Sequence, residues 1–477
     1  MKIHTILLVG LLCVVSGAAP VGAQQLNVKS ATNKAVQLEW TGAAVSSTLE
    51  RSSPQGYKPV APGKDGQFTD TTIDPFGTYK YRINTGGKLS NEVTVGPPPR
   101  GVTNAAPAPA NSQLQNYGAA TAVALDENGD PVIAFEWVDP NGDGDASDTE
   151  VRFVRWDRAT YKWIAPVHVV TTGPMTDQGT NPIAIACDRS NGTVAILAPV
   201  GDNLDYSISS DHGATWKNSP VTVSGGTPHA VSMVIASGQL FFAVNAEQLT
   251  AYVTGSVTDS SSWKTQAILT GAGWKAENNS NIPLLLDAAG KPVLAFFESQ
   301  QDGDGRRYVL WQPGQPEPTE ISKGSQDTPD VALTFNGKKF GALLTAQLDS
   351  TDSDHGVWYT QSSNGTSWSQ PVRLPVDGPR TTNAPVALAM DSKGGLVAAF
   401  GSNQGSGGAA CNAPTVSRSP DGATWKACGL GQAAGADFSP QPANLHVLEA
   451  PNDAAYVVWQ EQAESRYNPG VLVWHEH

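Results

Sequence analysis

Short apolar runs recur along most of the chain in pairs, and a glycine-containing turn separates the two runs of each pair. Seven such pairs follow one another roughly 50 residues apart. They occupy residues 122–135, 183–197, 231–243, 284–296, 331–343, 386–399 and 445–458. A repeat of this length predicts a propeller or a solenoid, because one small sheet cannot bury both of its faces alone. We expect a closed β-propeller over residues 113–477 with seven blades, and six blades is the alternative.

Residues 24–96 precede these repeats and alternate apolar with polar positions, with turn residues between the alternating runs. This pattern is typical of a small β-sandwich. The strand order resembles a fibronectin type III module, and residues 78–83 match the tyrosine-corner strand of that family. The resemblance implies that Tyr79 fixes the chain through its hydroxyl, while Tyr81 and Ile83 fill the core. The predicted fold class is therefore all-β, with a fibronectin type III-like β-sandwich followed by a β-propeller.

A proline- and alanine-rich segment at 97–112 separates the two predicted domains. Its composition predicts an extended, semi-rigid linker. The last repeat shows only three strands and ends at residues 471–474, so it lacks one strand of a full blade. We expect residues 113–118 to supply that strand and close the ring.

The first 23 residues have the order of a secretory signal peptide. Lys2 precedes an apolar run at 6–15, and the small residues at 21–23 form a cleavage signature before Gln24. The apolar run is too short to span a bilayer, and no later segment is apolar enough to do so. These features predict a secreted or periplasmic protein without a membrane span.

The charge balance excludes some partners. The formal net charge is −14, and the sequence contains no basic block. An acidic chain repels phosphate backbones, so nucleic acid and anionic membranes are not expected partners, whereas divalent cations and neutral sugars suit it. Abundant glycine and proline, with 13 tryptophans, agree with an all-β chain rich in turns.

Cysteine is sparse outside the signal peptide. Cys187 lies within an apolar run, which indicates a buried free thiol. Cys411 and Cys428 bracket one predicted hairpin. An exported protein reaches an oxidising compartment, which favours a disulfide between these two cysteines. Two free thiols are the alternative.

A short motif supports the propeller. Residues 209–216 combine Ser209, Asp211, Gly213, Thr215 and Trp216 at the spacing of an Asp box, and looser copies lie at 259–263, 363–368 and 419–425. This resembles the sialidase-like Asp-box (BNR repeat) propellers over residues 113–477. In that family the box is structural, which implies that its aspartate caps a tight turn and its tryptophan packs between blades.

The first repeat contains a candidate calcium loop. Residues 139–150 match the calcium-loop template in full, and Gly144 allows the sharp bend that the template requires. The expected oxygen donors are Asp139, Asn141, Asp143, Asp145 (through its carbonyl), Ser147 and Glu150. No helices flank the loop, and a solvated acidic turn is the alternative. Residues 302–305 form a less complete second candidate.

The residues of a sialidase active site are not recognisable. That family grips a carboxylate with a trio of arginines, the first in an Arg-Ile-Pro phrase, whereas Asn281 holds the arginine position of the similar phrase here. The other candidates are scattered among repeats: Arg306, Arg307 and Arg466, with glutamates at the ends of second strands, Glu136, Glu298 and Glu461. A pair of such carboxylates would suit glycoside hydrolysis, but solvated or metal-bound carboxylates are the alternative.

The catalytic residues therefore stay unknown at this stage. Our leading expectation is a calcium-supported propeller that binds an extracellular ligand, glycan or protein, without catalysis. The rival is a glycan-active enzyme, a sialidase-like glycoside hydrolase or a polysaccharide lyase, that acts at the propeller funnel. A third reading is an assembly or adhesion protein in which both domains are spacers.

Overall fold

The structure is a computed structural model. It describes residues 24–43, 46–62, 66–106, 120–137, 146–173, 182–223, 225–247, 249–268, 270–277, 280–324, 330–346, 348, 356–375, 386–400, 415–429, 445–450, 454–463 and 466–476. The chain divides into two compact units. The first runs to Gly96 and includes Arg158–Thr160, and the second comprises Pro97–Asp157 and the residues from Tyr161 onward. The predicted signal peptide lies outside the described residues.

The first unit is a small two-sheet sandwich. Its strands are β1 Gln25–Ala31, β2 Val36–Thr41, β3 Thr48–Ser53, β4 Gly56–Pro62, β5 Gln67–Asp70, β6 Tyr79–Thr85, β7 Lys88–Leu89 and β8 Val93–Val95. One sheet has the order β1-β2-β5, and the other has the order β4-β3-β6-β7 with β8 paired to β6. Alternation along β2 buries Val36, Leu38 and Trp40 on one face, as period-two patterning requires.

The tyrosines of β6 fix this sandwich. The backbone N–H of Asp74 donates to the Tyr79 hydroxyl at 2.6 Å, which ties the turn before β6 to the strand. Tyr81 and Ile83 are fully buried in the core. The Tyr81 hydroxyl donates to Asp70 at 2.8 Å, so this core phenol keeps a partner for its polar atom. The three side chains occupy the places that the resemblance implies.

The second unit contains seven sheets within the described residues. The first three sheets consist of β10 Thr121–Leu125, β11 Pro131–Trp137, β12 Glu150–Asp157, β13 Lys162–Trp163 and β14 Val167–Thr171; β15 Ala184–Asp188, β16 Thr193–Val200, β17 Asn203–Ser209 and β18 Lys217–Val221; and β19 Pro228–Ala236, β20 Gln239–Ala246, β21 Leu249–Ser256 and β22 Lys264–Ala267. Short 3₁₀ turns lie at Ala146–Asp148 and Ser260–Ser262.

The other four sheets repeat this arrangement. They consist of β23 Trp274–Ala276, β24 Leu284–Leu286, β25 Pro292–Gln300, β26 Arg306–Trp311 and β27 Thr319–Lys323; β28 Val331–Phe335, β29 Phe340–Ala346, β30 Gly356–Ser362 and β31 Val372–Arg373; β32 Val386–Met390, β33 Leu396–Phe400, β34 Thr415–Ser419 and β35 Lys426–Gly429; and β36 Leu445–Ala450, β37 Ala454–Ala463, β38 Arg466–Glu476 and β9 Gly101–Ala106. The described part of the chain contains no α-helix.

The sheets form a closed ring. Each inner strand contacts the inner strand of the next sheet, in the order β10, β15, β19, β24, β28, β32 and β36, and β36 contacts β10 again. Apolar side chains fill the interface between each pair of neighbouring sheets, which we call a seam. This explains why the strands are apolar on both faces. The all-β class and the propeller predicted from the sequence are therefore confirmed.

The strand that closes the ring comes from an unexpected place. The outer strand of the seventh sheet is β9, which pairs antiparallel with β38, for example Thr103 opposite Val473. The prediction of a linker over 97–112 is wrong for residues 101–106, and the predicted closing segment 113–118 lies outside the described residues. The physical reason is the free edge of β38, whose backbone groups need a partner. The prolines on either side of this segment favoured the prediction of a linker, although Val102 and Thr103 are residue types that favour strands.

The turn at 209–216 shows how the propeller seams are built. Asp211 accepts hydrogen bonds from the Thr215 backbone N–H at 2.9 Å, from the Thr215 hydroxyl at 2.6 Å and from Ser209 at 2.7 Å. These donors lower the pKa of Asp211 to about 2. Trp216 packs edge-on against Phe153 of the preceding sheet, with ring centroids 5.3 Å apart. Two further edge-on pairs across seams are Trp263 with Tyr206 and Trp425 with Tyr359.

Cys187 is a buried free thiol, as predicted. Burial raises its pKa well above the ordinary value, which disfavours the thiolate form. Cys411 and the side chain of Cys428 lie outside the described residues, and their pairing stays a prediction.

Candidate functional site

One end of the propeller carries the connections between second and third strands and the connections between sheets. We call it the loop end; the turns of the Asp-box type lie at the opposite end. Several loop-end connections, including 138–145, 349–355 and 401–414, are outside the described residues. The described loop end nevertheless includes the first residues of the inner strands of all seven sheets.

A cavity of about 300 Å³ lies on the propeller axis. Aliphatic residues of the inner strands, such as Val331, Val386 and Leu445, form part of its wall. Ser232, Asn281 and His446 supply polar groups. Polar and apolar groups contribute about equally to the surface of this cavity, so it is more polar than a typical small-ligand site.

Asp330 stands directly before inner strand β28 and connects three sheets. Its carboxylate accepts from the Asn281 amide at 2.6 Å, from its neighbour Val331 N–H at 2.9 Å and from the Val386 N–H at 2.9 Å. Burial raises the pKa of this carboxyl to about 7, although all three donors favour the charged form. Because its oxygens are committed to these donors, Asp330 positions the inner strands at the mouth of the axial cavity.

Other polar side chains of the cavity also bridge neighbouring sheets. The His446 Nε2 lies 2.9 Å from the Thr121 carbonyl oxygen, across the seam between the seventh and first sheets. Ser232 donates to the Ile282 carbonyl across the seam between the third and fourth sheets. These bonds satisfy backbone groups on the inner edges of strands that no further strand covers.

Glu298 and Glu136 occupy similar places in different sheets. Glu298 is fully buried and accepts from Arg307 at 2.7 and 2.8 Å and from the Gly271 N–H at 3.3 Å. Burial raises the pKa of Glu298, and Arg307 opposes that effect. Glu136 is buried in the first sheet and accepts the Ala120 N–H at 3.2 Å. The structure does not bring these two glutamates together, because they belong to the first and fourth sheets.

Half-buried tryptophans at the loop end stack with arginines. The Arg307 guanidinium lies 4.1 Å from the centroid of the Trp274 ring, and Arg152 lies 4.2 Å from Trp137. Planar cations on aromatic faces form flat amphipathic platforms. These pairs were missed by the sequence analysis, because neither tryptophan is adjacent to its arginine in the chain.

The predicted calcium loop is described only at one end. Asp139, Asn141, Asp143 and Asp145 lie outside the described residues. Ser147 is exposed in the 3₁₀ turn, and Glu150 is buried as the first residue of β12. Among the residues that are described, no group of three or more His, Cys, Asp and Glu side chains is arranged to hold a metal.

Glu150 already has partners. Its carboxylate accepts from the Arg152 Nε and lies 3.4 Å from the His168 Nε2. A calcium ion at this loop would share Glu150 with these two side chains or displace them. The roles of Ser147 and Glu150 as calcium ligands therefore stay predictions.

The described arginines do not converge on the axial cavity. Arg152 belongs to the first sheet, Arg307 to the fourth and Arg373, 5.9 Å from the Trp358 ring centroid, to the fifth. The side chains of Arg466 and Glu461 are outside the described residues. Asp302 and Asp304 are exposed on the turn before β26.

Asp330 was also missed from the sequence. The one available signal was an acidic residue directly ahead of an apolar inner-strand run, in a chain where such residues usually point to solvent. Its partners Asn281 and Val386 come from other repeats, so only the assembled ring reveals its role.

In the part of the chain that the structure covers, no helix has the length and apolar character needed to cross a membrane.

The chain matches no protein-family model. No curated protein matches it either. Among solved structures it is similar to the NanB sialidase from Streptococcus pneumoniae, at 13% identity and a TM-score of 0.41 over 95% of this chain and 92% of that one. It is similar to a polysaccharide lyase at 12% identity and a TM-score of 0.47, over 76% and 91%.

A further similarity is to the β-propeller domain of the trilobed protease from Pyrococcus furiosus, at 7% identity and a TM-score of 0.42, over 75% and 95%. Scores and identities this low say nothing about ligand or reaction.

Proposed function

We propose that this chain is an exported, calcium-supported propeller that binds an extracellular ligand at its loop end, with glycan as the leading class, and that it does not catalyse a reaction. The observation that carries the proposal is the state of the buried carboxylates. Asp330, Glu298 and Glu136 each accept backbone or side-chain N–H donors that belong to the fold. Carboxylates held in this way stabilise the scaffold rather than exchange protons with a substrate.

The platforms at the loop end support a sugar ligand. Trp274 with Arg307 and Trp137 with Arg152 offer flat apolar faces beside hydrogen-bond donors. A sugar ring has an apolar face and a polar edge, so it suits such a surface. The net charge of −14 favours a neutral glycan over a strongly anionic one.

Calcium would act on the loop rather than on a reaction. The ion supplies charge neutralisation for the acidic loop 139–150, and Ser147 and Glu150 would hold its described end. A leader with the features of a signal peptide supports export, where calcium is available to weak sites.

A glycan-active enzyme is the alternative. The observation that favours it is Glu298, a buried carboxyl whose pKa is raised, next to Arg307 at the loop end. Perturbed acids of this kind are enriched in active sites, but structural ion pairs perturb pKa values as well.

The deciding experiment is a glycan array combined with an activity screen on the same glycans, with the full chain, in calcium and in chelator. We expect calcium-dependent binding without product. Trp274→Ala should weaken binding about tenfold, since one stacked aromatic contributes roughly 1 kcal/mol or more. Trp163→Ala, at the opposite end, is the matched control. Product formation that Glu298→Gln abolishes would establish the enzyme instead.

A further inference from the structure

A second cavity of about 340 Å³ lies between the sixth and seventh sheets, at the end opposite the loop end. We call it the seam cavity. Its lining includes Asp391, Leu396, Val397, Arg418, Glu449 and Ala455. It shares none of its lining with the axial cavity.

The route of the chain explains why this seam is open. At three other seams, the turn between the third and fourth strands of one sheet packs on the preceding sheet, as Trp216 packs on Phe153, Trp263 on Tyr206 and Trp425 on Tyr359. The seventh sheet has no such turn, because its fourth strand is β9 and not the continuation of β38. The missing turn leaves room beside the third strand of the sixth sheet.

Two arginines at equivalent positions, Arg418 and Arg155, allow the open seam to be compared with a filled one. Arg418 pairs with Val397 in the sixth sheet, and Arg155 pairs with Val132 at the same register of the first sheet. Paired residues of antiparallel strands share a face, so both arginines face the following seam. The seam after Arg155 has the turn 209–216, whereas the seam after Arg418 has the cavity.

The polar groups of the seam cavity are balanced and partly fixed in place. Asp391 accepts the backbone N–H groups of Lys393 and Gly395 at 2.8 and 2.7 Å, which holds its carboxylate in one orientation. Arg418 lies 5.6 Å from the centroid of the Trp474 ring. Lys426 adds a second cation and Glu449 a second carboxylate.

These groups match an uncharged ligand with neighbouring hydroxyls. Each hydroxyl both donates and accepts, so it can donate to Asp391 or Glu449 while it accepts from Arg418 or Lys426. The aliphatic side of the cavity suits the apolar face of a ring. A volume of 340 Å³ is at the small end of ligand sites and fits one sugar ring rather than an oligosaccharide.

We propose that the seam cavity is a saccharide subsite that takes one neutral pyranose ring and needs no calcium. The inference extends the proposed glycan binding to a second place. It does not require the loop end to bind, since the two sites lie at opposite ends of the propeller.

The test is a titration of the full chain, in excess chelator, with D-glucose, D-galactose, D-mannose and L-fucose, followed by isothermal calorimetry and by tryptophan fluorescence. We expect saturable binding of at least one sugar with a Kd on the order of 1 mM, which is the affinity that a ligand of this size usually reaches. Trp474, beside Arg418, should report the binding by fluorescence.

Arg418→Ala and Lys426→Ala should each weaken this binding about tenfold, a typical loss for one charge-assisted hydrogen bond. Arg155→Ala is the matched control and should leave the affinity unchanged. Thermal melting of each variant shows that it is folded, and the exposed Lys426 keeps the test valid should Arg418→Ala unfold.

Three results would overturn the inference: no saturable binding of any of the four sugars, equal loss of affinity in Arg155→Ala and Arg418→Ala, or binding that chelator abolishes. The last result would assign the sugar to the loop end. Conversely, seam binding in chelator together with a blank array in calcium would refute the loop-end proposal and leave the seam subsite standing.

Discussion

Asp330 is a single buried side chain whose partners come from three sheets. It binds Asn281 of the fourth sheet's leading segment, Val331 of its own sheet and Val386 of the sixth. His446 and Ser232 make similar bonds across other seams. At this scale the propeller is held together by polar side chains that cover the inner edges of neighbouring strands, where a water molecule would otherwise bind.

The raised pKa of Asp330 gives the stability a pH dependence. Burial raises this pKa from an ordinary 3.8 to about 7. Between these values the folded protein holds a proton that the unfolded chain has released, so the free energy of unfolding falls as the pH rises from about 4 to 7 and then levels off. Asp126, whose pKa burial and Asp130 raise to about 7, acts with the same sign.

We therefore expect urea midpoints of the propeller transition to fall between pH 5 and pH 7.5. Asp330→Asn should reduce this slope without abolishing it, because Asp126 remains. Asp304→Asn, on an exposed turn, is the control. A slope that is identical in wild type and Asp330→Asn would contradict the assignment.

At the scale of elements, the turns of the Asp-box type pack between neighbouring sheets. Asp421 accepts the backbone N–H groups of Ala423 and Thr424 at 2.8 and 3.1 Å, and Trp425 donates its indole N–H to Gly422 at 3.0 Å. These hydrogen bonds fix the conformation of the turn. The Trp425 ring then packs on Tyr359, with the two ring centroids 5.3 Å apart. The rigid turn thereby places an apolar ring of one sheet against the preceding sheet.

Trp425→Ala should lower the free energy of unfolding by about 3 kcal/mol, since it removes a buried ring and leaves a void against Tyr359. Thr424→Ala is the matched control, because Thr424 is exposed and donates to Asp421 through its backbone N–H. Its effect should stay within about 0.5 kcal/mol. Denaturant titration measures the free energy of unfolding of both variants. An equal loss in the two would show that the packing of Trp425 on Tyr359 does not stabilise the fold.

The loop 139–150 is the other element with a specific expectation. If it binds calcium, chelator should lower the Tm, because a ligand that binds only the folded state stabilises it. Asp143→Ala should remove this difference, and Glu320→Ala, at an exposed position of β27 outside both candidate loops, should preserve it. Equal melting of the wild type with and without chelator would exclude the loop as a calcium site.

At the scale of the whole molecule, ring closure depends on a strand from the far end of the sequence. β9 pairs with β38 and buries Ala105 and Ala106, so chain ends of the propeller unit meet in one sheet. Closure of this kind converts a row of sheets into a ring with no free sheet at either end.

Val102→Pro should destabilise the propeller by about 2 kcal/mol or more, because proline removes a donor and does not fit within a paired strand. Asn104→Ala, at an exposed position of the same strand, should have little effect. Hydrogen exchange of β38 offers a direct readout: its amides should exchange faster in Val102→Pro. Unchanged protection of β38 would mean that β9 does not support closure.

The places of Tyr79, Tyr81 and Ile83 agree with what the resemblance to a fibronectin type III module implies. The sequence by itself determined the all-β class, the repeated propeller sheets and the buried thiol of Cys187. These features are encoded locally, since period-two burial, apolar repeats and turn residues act over a few neighbours. Tertiary structure alone decided the closing strand at 101–106, the contacts of Asp330, the arginine–tryptophan pairs and the open seam beside Arg418. Each of these depends on residues far apart in the chain, which become neighbours only after the ring closes.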